Sequence, residues 1–206
     1  MSQSDNQQKS FCTTREAAEV LGVSLRTVQL WAEAGLLEAW KTTGGHRRIV
    51  RSSMERLLTR HPPELDSAPA SDPSLRILVV EDDPVLLQVY ERRMARWPMK
   101  PLVLTAQNGF EALVRIGLRQ PDLLVTDLQM PDMDGFQMLH QLRMMSELAQ
   151  ISIVVVTGLD VTEIKARGSV PEGIPVLPKP IPFNRLLDIA TVLAARKQHQ
   201  QAQPKS

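Results

Sequence analysis

A regular switch between two hydrophobic periods over residues 75–196 constrains this chain more than any other feature. Short apolar, β-rich runs stand at Leu75–Val80, Leu102–Ala106, Leu123–Thr126, Ile151–Val156 and Ile174–Leu177. Helix-like stretches separate or follow them at Pro84–Arg96, Phe110–Arg119, Phe136–Met145, Val161–Ala166 and Pro182–Ala195. Strand and helix in alternation imply parallel strands, because a parallel neighbour needs a long crossover, usually helical. Runs as apolar as Ile77–Val80 suit strands covered on both faces. The expected fold class is α/β: a doubly wound, five-stranded parallel sheet with a smaller unit before it.

Ligands of open parallel sheets bind at the carboxyl ends of the strands, where the strand order reverses. There the sequence places Glu81, Asp82 and Asp83 after the first strand, Asp127 after the third, Thr157 after the fourth and Lys179 after the fifth. Grouped carboxylates repel one another and favour a cation among them; hard oxygen donors suit Mg²⁺. A cation, a lysine and a hydroxyl together can neutralise a transferring phosphoryl group. The alternative at this level is a set of polar residues that only caps a sheet edge.

The segments ILVVEDDP (77–84), LLVTDLQMPDMDG (123–135), VVVTG (154–158) and the pair Lys179-Pro180 resemble the response-regulator receiver domains of bacterial two-component signalling. The resemblance implies a flavodoxin-like receiver over residues 75–196, with Asp127 as phospho-acceptor and carboxylate nucleophile. It implies Mg²⁺ held by Glu81, Asp82, Asp127 and the Gln129 carbonyl, with Glu81 acting largely through water. Thr157 and Lys179 then contact the phosphoryl oxygens, the Lys179-Pro180 bond is cis, and Gly135 supplies backbone freedom. Asp83 is then an exposed third acid outside the acidic pair Glu81-Asp82. One departure stands out: the family's aromatic residue three positions before the lysine is here Val176. The coupling helix Val161–Ala166 must then move without an aromatic rotamer change.

The net charge of +1 conceals an asymmetry: residues 1–60 carry nine Lys/Arg against six Asp/Glu, and residues 61–74 carry three acids and no base. Five of the nine bases fall in Arg47–Arg60. Thr13-x-x-Glu16 reads as a capping box and Gly22 as a helix end; Ser24 caps a second helix with Val28, Trp31 and Ala32 at core spacing. Leu36–Lys41 and His46–Val50 pair across a Gly-Gly turn, and Ser52-x-x-Glu55 caps a last helix, Met54–Arg60. TTREAAEVLGVSLRTVQLWAEAGLLEAW followed by KTTGGHRRI resembles MerR-type winged helices of the excisionase-like group. That implies a double-stranded DNA partner over residues 11–60. Exposed Ser24, Arg26, Thr27 and Gln29 would enter a major groove, and His46, Arg47 and Arg48 of the wing would meet phosphates or a minor groove. Leu30 and Glu33 stand where relatives often carry a base, implying fewer phosphate contacts.

Between the two units, residues 61–74 (HPPELDSAPASDPS) hold four prolines and read as a semi-extended linker. Residues 197–206 read as a polar tail. Apolar runs reach four residues, far short of the roughly 20 of a membrane span, the polar start is no secretion signal, and one cysteine allows no intrachain disulfide. The expectation is a cytoplasmic, phosphorylation-responsive transcription regulator rather than an enzyme. Its partners would be DNA, a sensor histidine kinase or phosphotransfer protein, and a second copy through the receiver. A DNA-architectural or recombination factor and a phosphoryl sink without DNA are the competing readings.

Overall fold

The computed structural model describes residues 10–60, 74–143 and 150–202. The linker, apart from Ser74, lies outside these residues. Contacts divide the described chain into two compact units, on either side of residues 68 and 69.

The N-terminal unit comprises β1 (Phe11–Thr13), α1 (Thr14–Leu21), α2 (Leu25–Glu33), β2 (Ala39–Lys41), β3 (Arg47–Val50) and α3 (Arg51–Arg60). The Thr13/Glu16 capping box forms, Gly22 ends α1 at φ 66°, and the Ser24 hydroxyl accepts the Thr27 N–H at the start of α2. Ala17, Val28, Trp31, Leu37, Ile49, Met54 and Leu57 make its core. The sheet is antiparallel, order β1-β3-β2, so the wing hairpin gains a third strand that the sequence pattern did not suggest. Only Gly45 of the Gly-Gly turn takes a positive φ. The last helix starts at Arg51, so Ser52 lies inside it; Ser53 is buried and ties the Glu38 N–H to the Val50 carbonyl.

The C-terminal unit comprises β4 (Arg76–Val80), α4 (Pro84–Met94), β5 (Leu102–Ala106), α5 (Gly109–Arg119), β6 (Leu123–Thr126), α6 (Gly135–Arg143), β7 (Ser152–Thr157), α7 (Val161–Arg167), β8 (Val176–Pro178) and α8 (Phe183–Ala202). Its sheet is parallel throughout, in order β5-β4-β6-β7-β8. Residues alternate between the faces, as the pleat requires. Ile77, Val79, Val125, Val154 and Val156 pack with Tyr90 and Met94 of α4 and Leu186 and Ala190 of α8. Across the sheet, Val155 packs with Leu139 of α6 and Ile164 of α7. The doubly wound α/β expectation is met. The chain turns one way from β4 to β5 and the other way to β6, so the ends of β4 and β6 flank the switch point.

The final helix runs to Ala202, past the expected end, and Lys197 belongs to it rather than to a tail. Its Nζ donates to Asp122 Oδ2 at 2.7 Å and to the Ser74 carbonyl at 2.9 Å, pinning α8 to the strand edges.

Candidate functional site

Three strand ends meet at the switch point. Glu81 follows β4 and is 2% exposed, Asp127 follows β6 and is 5% exposed, and Thr157 closes β7 fully buried. Lys179, one residue beyond β8, reaches across them: its Nζ lies 2.7 Å from Asp127 Oδ2 and 2.8 Å from Glu81 Oε2. Its backbone N–H donates to the Thr157 carbonyl at 2.9 Å, which locks β8 to β7 at this level. Asp127 Oδ1 accepts the N–H groups of Leu128 and Gln129. Both carboxylate oxygens are therefore oriented. The Lys179-Pro180 bond is cis.

Burial pushes the Glu81 carboxyl above its ordinary value, with Lys179 pulling against it. Burial also works against the Lys179 ammonium, but its hydrogen bonds to Asp127 and Glu81 prevail and hold it above the usual lysine value. Two buried carboxylates sharing one lysine leave negative charge in excess at the rim.

Asp82 is exposed. Asp83 is exposed as well, and it caps α4. Its carboxylate accepts the Val85 and Leu86 N–H groups, while Pro84 supplies the first helical residue. Gly135 corrects an expectation. Its φ is not in the left-handed region; it is needed for space, since a Cβ there would sit 2.3 Å from the Asp127 carbonyl oxygen and 2.8 Å from Leu128 Cα. Val176 is 39% exposed on the edge strand β8.

In the N-terminal unit, Ser24 and Gln29 are exposed and Arg26 is half-buried. Thr27 is not exposed as expected. It is 7% accessible, and its hydroxyl meets that of Ser24 at 3.0 Å, so it helps cap the helix and offers no edge to a partner. Leu30 is 2% exposed and belongs to the core, which removes it from any comparison of surface charge. His46 is exposed at the wing turn. Arg47 and Arg48 are sequence neighbours on one strand and so leave the hairpin on opposite faces. Arg47 points to α2, donating to Glu33 and to the Gln29 carbonyl. Arg48 pairs across the ladder with Trp40, whose ring stands edge-on to Phe11 at 4.0 Å. Cys12 is buried against Met54, and burial raises its thiol pKa, as befits a core residue.

Comparison with known proteins agrees with this geometry. The response regulator receiver domain matches residues 77–191, which is more than half of the chain. The chain belongs to the response regulator receiver family. A helix-turn-helix domain matches residues 11–62, ahead of the receiver. Among curated relatives, the response regulator MprA of Mycobacterium bovis is 33% identical over 129 residues, covering 63% of this chain and 54% of MprA. A protein-glutamate methylesterase/protein-glutamine glutaminase of Methanospirillum hungatei is 34% identical over 93 residues, covering 45% of this chain and 26% of that protein. The chain thus spans only 26% and 54% of the length of these two relatives. Among solved structures, the N-terminal domain of an uncharacterized protein from Wolinella succinogenes covers 62% of this chain and 99% of its own, at TM-score 0.53 and 26% identity. A receiver domain of an HD domain-containing protein from Pseudomonas fluorescens Pf-5 gives TM-score 0.51 and 25% identity over 62% of this chain and 98% of its own. No helix among the described residues is long and apolar enough to cross a membrane.

Receiver domains generally bind Mg²⁺ at the phosphorylation site. The donors here fit such an ion by type: Glu81, Asp82 and Asp127 supply hard oxygens, and the rim carries negative charge in excess. No three His, Cys, Asp or Glu side chains among the described residues form a ready-made cage.

Tyr90 lies beneath the site, and burial first, then the charges of Glu81 and Asp127, push its phenol well above the ordinary value. It is the chain's single tyrosine, so its absorbance is a clean reporter. The unfolded chain ionises near pH 10. The contribution of this group to stability is therefore intact below that pH and lost as pH rises beyond it. Phenolate absorbance is expected to rise only together with loss of receiver circular dichroism. A reversible titration near pH 10 in a folded receiver would contradict the burial.

Proposed function

We propose that this response regulator accepts a phosphoryl group on Asp127 and controls transcription by binding double-stranded DNA through its N-terminal winged helix. The observation that carries the first half is the Asp127 carboxylate, oriented by Lys179 on one oxygen and two backbone N–H groups on the other. An Asp127 oxygen attacks phosphorus, forming an acyl phosphate as the donor's leaving group departs with the bonding electrons. Lys179 Nζ, freed from a neutralised carboxylate, meets a phosphoryl oxygen as a compact point charge. The Thr157 hydroxyl, held at the end of β7, donates to another. Glu81, Asp82, Asp127 and the Gln129 carbonyl would hold Mg²⁺, which would supply charge neutralisation at the same rim.

Intact-mass measurement with a small acyl-phosphate donor tests this. An adduct of about 80 Da, one phosphoryl group, is expected in Mg²⁺ and not in chelator. Equal labelling in chelator would remove the metal from the account.

On the DNA side, Ser24 at the cap of α2 and Arg26 and Gln29 on α2 are the base-reading candidates. His46 and Arg48 on the wing are the backbone candidates, with Thr27 set aside by its burial. A histidine kinase or phosphotransfer protein is the phosphoryl source. Coupling runs through self-association of receivers by the face of α7, β8 and α8, where Val176 and Val192 are exposed. Sedimentation of the full chain should show dimers with a phosphoryl mimic. Monomers in both states would rule this route out.

A further inference from the structure

The wing arginine expected to meet DNA is already engaged. Both Arg47 Nη atoms donate to one oxygen of Glu33, at 3.2 and 3.3 Å, and Nη1 also donates to the Gln29 carbonyl at 3.3 Å. Glu33 closes α2, the helix proposed to enter the groove, and its side chain is 52% exposed. A carboxylate in the last turn of a helix faces the negative end of the helix dipole, so helix stability does not account for an acid there. The pair is long and uses a single carboxylate oxygen, unlike the short two-pronged contacts of strong arginine–carboxylate pairs. It holds Arg47, whose side chain keeps only 21% of its surface exposed, and it places a negative charge where the wing and α2 approach each other.

We propose that Glu33 is an affinity-limiting residue of the DNA interface. It retains Arg47 as its counter-ion and thereby keeps that arginine from DNA phosphates. This inference rests on the DNA-binding reading above. Sequence-independent affinity comes from basic side chains that release counter-ions from phosphates. An arginine neutralised within the protein contributes nothing to that release, and the exposed carboxylate beside it repels the backbone. The base-reading candidates Ser24, Arg26 and Gln29 do not depend on Arg47 being free. Binding that any duplex could support is therefore held down, while contacts to base edges are left available.

The test uses the full chain and a mixed-sequence duplex, with fluorescence anisotropy from about 50 to about 200 mM salt. Glu33→Gln should bind roughly tenfold more tightly at the low end, with a log–log salt slope steeper by about 0.9, one added phosphate contact. In the double variant Glu33→Gln/Arg47→Ala both gains should vanish, because the released arginine is gone. If Glu33→Gln matches the parent, or if the double variant keeps the steeper slope, the inference is wrong while DNA binding stands. If neither the parent nor Glu33→Gln binds duplex even at the lowest salt, the DNA-binding reading fails and the inference with it.

Discussion

Asp127→Asn is expected to take no phosphoryl group from a small acyl-phosphate donor, with no adduct of about 80 Da visible by intact mass. The fold should survive. The asparagine carbonyl can still accept the Leu128 and Gln129 N–H groups that Asp127 Oδ1 accepts. Lys179 would keep its contact to Glu81 at 2.8 Å, and one of two crowded carboxylates would be gone. Loss of one partner is offset by relief of like-charge repulsion between two buried carboxylates that share one lysine, which stays paired with Glu81, so the fold should be kept. Chemistry is lost because a neutral amide has neither the charge nor the nucleophilicity of a carboxylate. An undiminished adduct on a folded variant would move the acceptor elsewhere.

Gly135→Ala is expected to do the reverse, damaging the fold around an intact carboxylate. The new Cβ would lie 2.3 Å from the Asp127 carbonyl oxygen and 3.1 Å from its carbonyl carbon. Those are backbone atoms at the end of β6, and they cannot rotate aside. Gly135 also donates its N–H to the Leu128 carbonyl at 3.1 Å, so moving α6 away breaks that bond. Overpacking costs about 1–3 kcal/mol, occasionally more, and a backbone clash belongs at the upper end. The receiver transition in urea should shift by about 3 kcal/mol, and phosphoryl transfer should fall because the acceptor loop is displaced. A shift under about 0.5 kcal/mol would mean that the loop yields more easily than its packing implies.

The rim was legible in the sequence because strand ends in a parallel sheet carry their side chains to one edge. Once Leu123–Thr126 and Ser152–Thr157 are strands, Asp127 and Thr157 have few places to go. Two of the three expected caps were equally legible, since Thr13 with Glu16 and Ser24 act on backbone groups three residues away, whereas Ser52 lies inside the helix it was expected to start. Contacts between residues distant in sequence were not. β1 has three residues and no alternation to betray it; its partner β3 lies more than 30 residues on. Helical spacing gave the direction of the buried face of α2 but not its width, so Thr27 and Leu30 went to the wrong side. The Glu33–Arg47 pair spans 14 residues across a turn, and only the folded hairpin brings it together. Gly135 reads as a flexible turn residue in sequence, while its necessity comes from the backbone packed against it.

Control of DNA binding in the N-terminal unit by phosphorylation of Asp127 is the expectation on which the other functional readings depend. Its most direct test is the affinity of the full chain for duplexes recovered by the protein from a random library. Affinity would be measured with and without acyl-phosphate donor and Mg²⁺, in the parent and in Asp127→Asn. Donor should change the affinity of the parent and leave that of Asp127→Asn unmoved. Affinities that do not respond to donor in a fully phosphorylated parent, or that respond equally in Asp127→Asn, would contradict this expectation.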